Sequence, residues 1–247
     1  MRRHGSSMVA GWTLGTLMLA GCGGGGSSST TLEPAPGTTF PLGAAVVQLY
    51  TTGYQKTASV SGTAVYAGTS FPVSGSVSLA LGPAGSTTTT FAGQTALSAS
   101  SSVSGTIAVA GQSIDISSSA QEYLTTSYAP LGYTSSVAYC VAPTPGVYPA
   151  QVSVGQAGTV VTYACYTDSS MSVATGTQTL SYVVKAAGSA TAVMVSLVDT
   201  FVNTAGQQTV AGSSSYLLDA AGGLALSSIT AQQSDAGVLL DLTFTVQ

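Results

Sequence analysis

The carboxyl-terminal end of the chain alternates between apolar and polar side chains, and this two-residue period constrains the fold more than any other feature. From position 238 to 246 every even-numbered residue is apolar, and the odd-numbered residues from Asp241 onward are polar. Successive side chains of a β-strand point to opposite faces, so the pattern predicts a strand with one dry and one wet face. A similar alternation runs from Val73 to Leu81. Periodic Glu-, Lys- and Leu-rich segments are absent, so we expect at most a short turn of helix, from Ala120 to Leu124.

Short turns that contain glycine separate the alternating segments. Examples are Ala110-Gly111-Gln112, Gly155-Gln156-Ala157-Gly158 and Ala221-Gly222-Gly223. Close spacing of this kind is typical of antiparallel hairpins rather than of βαβ units. The sequence therefore predicts an all-β fold, either an antiparallel sandwich or a strongly curved, partly closed meander sheet. The alternation shows which face is buried but not how the sheet closes.

The amino terminus has the three parts of a bacterial signal peptide. Arg2 and Arg3 form a basic start, an apolar stretch runs from Met8 to Ala20, and the segment ends in Leu19-Ala20-Gly21-Cys22. The apolar stretch is shorter than the ~20 residues of a membrane-spanning helix. Its end resembles the lipobox of bacterial lipoproteins, in which the cysteine is diacylated on sulfur and acylated on its new amino group. The resemblance implies cleavage before Cys22 and a lipid anchor on that residue.

The same resemblance implies a place in the Gram-negative cell envelope. Gly23 follows Cys22, whereas an aspartate there would resemble an inner-membrane retention signal. We therefore expect anchoring in the outer membrane, facing either the periplasm or the cell surface. Buried acyl chains contribute ~0.8 kcal/mol per methylene group, which holds a domain at a bilayer without a spanning helix. The resemblance covers only the amino terminus, and no specific domain family is recognised in the rest of the chain.

Changes in composition divide the chain into three parts. Residues 1–21 are the predicted signal peptide, residues 22–43 are a Gly-, Ser- and Pro-rich tether, and residues 44–247 are predicted to form a single β domain. A weak internal repeat, Ala-Gly-Gln ahead of a Ser-rich segment, leaves open an arrangement of two similar halves that meet near residues 143–157.

The predicted mature domain is poor in charge. Charged residues make up 5% of the chain, against roughly 25% in ordinary globular proteins. After cleavage, Lys56 and Lys185 remain as cations against eight acids. A nucleic-acid binder needs a basic surface, so that class is excluded. The single histidine, His4, lies in the predicted signal peptide, so the mature domain lacks the imidazole of a catalytic triad or transition-metal site, and we expect neither a metal nor a cofactor.

Lipidation of Cys22 leaves two cysteines, Cys140 and Cys165, in an oxidising compartment. Each lies in a strand-like segment with neighbouring tyrosines, and the stretch between them is rich in proline and turn residues. We therefore predict that the two strands are neighbours joined by a disulfide. By loop-closure entropy such a bridge stabilises the fold by about 3 to 4 kcal/mol.

Tyrosine is the functional candidate that the composition offers, since the chain has 12. Tyrosines supply contact area at low entropic cost in binding surfaces, although they also favour strands. Tyr128, Tyr133 and Tyr148, which we place in loops, are the candidates for a binding surface. The acids are interpreted as structural, as turn caps or as side chains on polar strand faces, so we predict that the protein is not an enzyme.

Three functions remain after these exclusions. The first is a noncatalytic envelope lipoprotein whose β domain contacts another envelope protein or a glycan, or contributes to surface architecture. The second is a carrier of a lipid or other apolar ligand, which requires a large empty apolar cavity. The third, ranked well below, is a carboxylate-based hydrolase, which requires two acids in one cleft.

Overall fold

A computed structural model describes residues 32–235 and 237–247 of the chain. The predicted signal peptide and the predicted lipid attachment site Cys22 lie outside the described residues. One helix and thirteen strands occupy the described part. In chain order they are α1 (Leu42–Thr52), β1 (Tyr54–Tyr66), β2 (Thr69–Leu81), β3 (Thr89–Phe91), β4 (Gln94–Val109), β5 (Gln112–Leu124), β6 (Pro130–Ser135), β7 (Tyr139–Val141), β8 (Ala157–Tyr166), β9 (Ala174–Ala186), β10 (Ala192–Asn203), β11 (Gln208–Asp219), β12 (Leu224–Asp235) and β13 (Val238–Val246).

Twelve of these strands close into an antiparallel barrel. Strands that follow one another in sequence pair from β4 through to β13, then β13 pairs with β1 and β1 with β2. The circuit closes where β2 pairs with β4, in a register that places Val77 opposite Gly105. Strand β3 pairs with β4 outside this circuit. The all-β prediction is confirmed, but the sheet is a closed barrel rather than a sandwich or a partly closed meander.

Glycines on the inner face of β2 and β4 explain how the sheet curves enough to close. A Cβ atom at Gly75 would stand 2.3 Å from the carbonyl oxygen of Thr106, and one at Gly105 would stand 2.4 Å from that of Ser76. Only a residue without a side chain permits so close an approach of two backbones, and glycines inside strands mark sharp bends. These positions therefore allow β2 and β4 to coil toward each other and pair.

The two faces of the barrel wall differ as the alternation predicts. Lumen-facing residues of β1, β2, β4, β12 and β13 form a continuous cluster that we call the apolar lining. Its buried members include Val60, Val77, Ile107, Leu242 and Phe244. The opposite faces of the same strands carry mainly serine and threonine. Each fully buried aliphatic or aromatic side chain contributes about 1.5 to 3 kcal/mol, so this lining is a major source of stability.

Helix α1 packs against the inner wall of the barrel, where the sequence predicted only β structure. Its apolar residues Leu42, Ala45, Val46 and Leu49 follow the i, i+3, i+4, i+7 period of a helix. They contact lumen-facing valines of β9 and β10 and the apolar lining. The helix has no side-chain cap at its amino terminus, so packing rather than local propensity holds it. Conversely, Ala120–Leu124, where a turn of helix was expected, is the last part of strand β5.

The loop of residues 142–156, between β7 and β8, lies beside the start of α1. Phe40 and Val152 exchange backbone hydrogen bonds of 2.8 and 2.9 Å, and both side chains are fully buried. Residues 40–43, which the sequence analysis assigned to the tether, therefore pack into the barrel. We call residues 40–53 together with this loop the plug.

The two described cysteines lie directly opposite each other on β7 and β8, as predicted for neighbouring strands. The sulfur atoms of Cys140 and Cys165 are 2.07 Å apart, at disulfide distance, and both residues are buried. They belong to a cluster that also contains the lumen-facing Tyr133 and Tyr163. Within residues 32–235 and 237–247, no helical segment has the length and hydropathy that a bilayer crossing requires.

Candidate lumenal binding site

A cavity of about 120 Å3 lies in the lumen, between the plug and the inner faces of β4 to β6 and β8 to β11. An adjoining space of about 60 Å3 shares Tyr50, Glu122 and Tyr148 with it. The wall of the main cavity is rich in polar groups. They belong to Tyr50, Ser101, Glu122, Tyr133, Tyr148, Tyr163, Gln178, Asp199, Ser214 and Tyr216.

One chain of hydrogen bonds joins side chains of β6, β9 and β10 and ends at Asp199. The hydroxyl of Tyr133 donates to Gln178 Oε1, and Gln178 Nε2 donates to Asp199 Oδ2. Asp199 is only 7% exposed. Its second oxygen, Oδ1, has no hydrogen-bond partner among the described residues. A buried polar atom without a partner costs about 1 to 3 kcal/mol, so the chain ends at an acceptor that lacks a donor.

A second carboxylate, Glu122 on β5, lines the same cavity from another side. The hydroxyl of Tyr50, on the plug, donates to Glu122 Oε2 at 2.6 Å, and the hydroxyl of Ser101 also bonds to this carboxylate. Glu122 keeps some accessible surface because it faces the cavity. Two acids from separate strands thus converge on one cavity, and each is held by neutral hydrogen-bond donors.

Both carboxyl groups are pushed toward the neutral form. Burial raises the pKa of Asp199 from 3.8 to about 7. The hydrogen bond from Gln178 opposes the shift, the charge of Glu122 adds to it, and a weaker contribution from the backbone N–H of Thr200 opposes it. Burial likewise raises the pKa of Glu122, against the hydrogen bonds from Tyr50 and Ser101. No cationic side chain of the described residues lines the cavity. The site therefore concentrates acids without supplying a counter-charge.

The tyrosines of the cavity act as donors and as aromatic walls. Burial raises the pKa of Tyr148 and of Tyr163 above the ordinary value of 10.0. It raises the pKa of Tyr216 to about 12, while a hydrogen bond from Tyr54 opposes that shift. The rings of Tyr133 and Tyr163 meet edge to face, with centroids 5.9 Å apart. Tyr148, Tyr163 and Tyr216 consequently stay protonated near neutral pH and present hydroxyl donors beside apolar ring faces.

The structure brings together two of the three tyrosines proposed for a binding surface. Tyr133 and Tyr148 both line the cavity, so they face the inside of the barrel rather than its outer surface. Tyr133 belongs to strand β6 and not to a loop. Tyr128 lies in the turn between β5 and β6 with φ of 65° and is not part of the cavity wall. Cys140 and Cys165 are buried in the same cluster as Tyr133 and Tyr163.

Sequence reasoning missed Glu122 and Asp199 as site residues, because it treated all the acids as structural. The signal was nevertheless present in the alternation. Asp199 shares its strand face with the apolar Val195 and Leu197, and Glu122 shares its face with Leu124. An acid on the otherwise apolar face of a strand faces the interior, where an ionisable group is expensive to bury. Such a position marks a candidate site.

The chemistry of the donor set does not indicate a metal centre. Among the described residues, His, Cys, Asp and Glu side chains form no group of three or more that could hold a metal ion. The cavity offers instead a few carboxylate acceptors, several phenol donors and aromatic surface, which is the composition of a small-molecule site.

Fold and site together define a closed antiparallel barrel with a polar cavity in its lumen. No protein-family model matches the chain, and no curated protein matches it. Among solved structures it is similar to the crystal structure of a DUF1329 family protein from Desulfovibrio piger ATCC 29098, with 4% sequence identity over 83% of this chain and 92% of that chain and a TM-score of 0.26. A likeness of this size transfers neither a family nor a function.

Proposed function

We propose that this chain is a noncatalytic lipoprotein of the bacterial outer membrane whose barrel binds a small molecule in its lumen. The observation that carries the binding function is Asp199 Oδ1, a buried acceptor without a partner on the wall of a cavity of about 120 Å3. A protein interior rarely leaves such a group unsatisfied, because the penalty is not offset by packing. A ligand that donates a hydrogen bond to this oxygen removes the penalty.

The size of the cavity restricts the ligand. An apolar cavity of roughly 150 Å3 accommodates benzene, so a cavity of about 120 Å3 has room for a molecule of similar size or smaller. A lipid chain or an oligosaccharide is larger, and a lipid would also meet carboxylate and phenol groups. The cavity therefore supports a compact polar ligand better than the lipid or apolar cargo considered from the sequence.

The envelope location rests on the amino-terminal sequence. The lipobox-like segment Leu19-Ala20-Gly21-Cys22 and the tether after it lead directly into the plug at residue 40. A lipid on Cys22 would hold the barrel near the membrane surface through the intervening residues. The barrel then samples the aqueous compartment on one side of the outer membrane.

A carboxylate-based hydrolase is the second candidate, because Glu122 and Asp199 line one cavity and Asp199 has a raised pKa. Both acids, however, accept hydrogen bonds from neighbouring side chains, and a cavity of about 120 Å3 is too small for a glycan and its attacking water. Turnover of a small ester or glycoside that disappears in both Glu122→Gln and Asp199→Asn would favour this candidate over pure binding.

The binding function is tested by native mass spectrometry of the protein purified from membranes of the source organism. We expect a polypeptide that starts at an acylated Cys22 and carries an additional small mass. In Ala120→Leu the added carbon atoms occupy the cavity beside Glu122, and we expect the small mass to be lost. Ala225→Leu, an exposed position on β12, is the matched control and should retain it.

Two results would contradict the proposal. Absence of any small mass in the parent protein and in the Ala225→Leu control overturns the binding function. A signal peptide that is still attached, with an unmodified Cys22, overturns the envelope location and leaves the lumenal site unaffected.

A further inference from the structure

The charge of the cavity indicates which class of small molecule it binds. Glu122 and Asp199 are the ionisable acids of the wall, and the two described lysines, Lys56 and Lys185, are both exposed and away from it. A carboxylate in a low-dielectric interior must be neutralised by a proton or by a cation. No cationic side chain of the described residues lines the cavity, so a proton neutralises these acids in the absence of ligand, and a positively charged ligand can take the place of that proton.

The directions of the hydrogen bonds in the wall also favour a positively charged ligand. Tyr50 donates to Glu122, and Tyr133 donates to Gln178, which in turn donates to Asp199. Each series of hydrogen bonds ends with a donor bonded to a carboxylate, and Asp199 Oδ1 is the carboxylate oxygen that accepts no hydrogen bond from the described residues. The missing group is therefore a donor, and charged donors form the strongest hydrogen bonds to a carboxylate.

The tyrosine rings of the wall are suited to contact a ligand that carries a positive charge on a carbon skeleton. Rings of Tyr50, Tyr148, Tyr163 and Tyr216 border the cavity. A cation within about 6 Å of a ring centroid is attracted by the negative face of the ring, and the attraction is strongest in a desolvated site. An anion has no such partner here and would be repelled by both acids.

Resting on the proposed function, we infer that the ligand is a small organic ammonium ion. Its nitrogen donates a hydrogen bond to Asp199 Oδ1, and its carbon atoms lie among the tyrosine rings. The ion has at least one N–H group, because a fully substituted nitrogen could not fill the vacant acceptor. A cavity of about 120 Å3 limits it to roughly six non-hydrogen atoms, by comparison with benzene in a cavity of similar size.

Binding of this class of ligand is coupled to release of a proton. Without ligand, the pKa of Asp199 is about 7 because of burial, so the group is partly protonated at neutral pH. An adjacent ammonium favours the ionised form and displaces that proton. Affinity should therefore fall as the pH drops below 7. The titratable groups that line the cavity together with Asp199 are Tyr50, Glu122, Tyr123, Tyr133, Tyr148, Tyr163 and Tyr216. Of these, Glu122 is the other carboxyl group, and burial raises its pKa as well.

The test uses pairs of probes that match in shape and differ in charge. Cyclopentylammonium is compared with cyclopentanol, and ethanolammonium with ethylene glycol, by calorimetric titration of the full acylated protein in detergent at pH 8. We expect each ammonium compound to bind at least about tenfold more tightly than its neutral counterpart, as expected for a charge-assisted hydrogen bond in a buried site. Titrations in buffers of different ionisation enthalpy should show proton release at pH 7.

The variant Asp199→Asn keeps the shape of the side chain and removes its charge. We expect it to weaken ammonium binding by about tenfold or more and to abolish proton release. Asp115→Asn, on an exposed outer position of β5, is the matched control and should bind like the parent protein.

Three outcomes overturn the inference in different ways. If the neutral probes bind as tightly as the ammonium ions, the charge argument is wrong while the lumenal binding function stands. If calcium chloride binds with dependence on Asp199 and displaces the ammonium probes, the site holds a metal ion instead. If no probe binds and the native mass spectra also lack a small mass, the inference and the proposed function both fail.

Discussion

The two sides of the barrel lumen are stabilised in different ways. On the apolar lining, long strands such as β1 and β2 bury Val60, Val77 and Leu242 against one another. On the cavity side the wall includes β6, which spans only six residues and pairs with the three-residue strand β7, and it carries Glu122 and Asp199. Packing holds the first side, whereas hydrogen bonds and the cysteine pair between β7 and β8 hold the second.

This difference indicates that the cavity side contains groups that lower the stability of the fold and form a candidate binding site. Replacing buried polar groups by packed apolar side chains of similar volume is often neutral or stabilising, so the acids are not needed to fold the barrel. A lumen filled entirely like the apolar lining would be more stable and would bind nothing. Stability that rises when the acids are neutralised is the expected property of a functional cavity.

The largest effect that we predict is on the pH dependence of unfolding through Asp199. Its folded pKa of about 7 lies above the unfolded value near 3.8, so the folded state holds the proton more tightly. The contribution of Asp199 to stability is therefore fully present below pH 4 and is lost as the pH rises through 7, by up to about 4 kcal/mol. Asp199→Asn should remove this loss and unfold at higher urea concentration than the parent protein at pH 8.

The matched control for this prediction is Asp115→Asn. Asp115 is exposed on the outer face of β5, so its removal should leave the slope of stability against pH unchanged. Glu122, whose pKa is also raised by burial, should leave a smaller slope of the same sign in Asp199→Asn. Stability of the parent protein that is level or rising between pH 5 and 8 would show that the cavity side carries no such cost.

The apolar lining should respond to a loss of volume instead of to pH. Leu242 is fully buried on β13, and Leu242→Ala leaves a cavity in tightly packed surroundings. We expect a loss of about 3 to 4 kcal/mol in the free energy of unfolding, equal at pH 5 and pH 8. Leu239→Ala, 44% exposed on the same strand, should lose less than about 0.5 kcal/mol. Similar losses in the two variants would mean that the lumen on this side is not close-packed.

The cysteine pair tests whether the cavity side depends on a covalent link. Its two residues are separated by 25 positions, and loop-closure entropy assigns a bridge of this span about 3.5 kcal/mol. We expect the double variant Cys140→Ala and Cys165→Ala to lose this amount in urea denaturation. Amide hydrogen exchange should accelerate in β6 to β8 before it does so in β1 and β2. Acceleration that is uniform around the barrel would contradict the distinction between the two sides.

The sequence predicted the strand faces but not the closure of the sheet or the plug. Alternation identifies Leu242 and Phe244 as buried without a partner being known, because burial depends only on which way a side chain points. Closure depends on the bends at Gly75 and Gly105, whose meaning appears only when the pairing of β2 with β4 is known. Helix α1 was missed because it is short and its Val, Tyr and Thr residues favour strands, although Leu42, Ala45, Val46 and Leu49 carry a helical period.

The candidate site was predictable only in its residue types. Tyrosines were identified as the binding groups, and Tyr133 and Tyr148 do line the cavity. Tyr133, Tyr148 and Asp199 come from β6, the plug and β10, and no local sequence pattern predicts that they line one cavity. The acid on an apolar strand face was the one local signal, and its cost in an apolar environment is what makes it informative.

The smallest effect concerns the plug, and it tests whether the hydrogen-bonded network rather than packing holds the cavity side. Tyr50→Phe keeps the ring and removes the 2.6 Å hydrogen bond to Glu122. Because that bond lowers the pKa of Glu122, its loss should raise this pKa further and cost about 1 to 2 kcal/mol at pH 8. The cost should shrink once the pH falls below the pKa of Glu122, which carboxyl chemical shifts measured by NMR can follow.

Tyr66→Phe, 60% exposed at the end of β1, should change neither quantity. An equal loss at all pH values would mean that Tyr50 stabilises the plug through its ring alone, as the residues of the apolar lining do.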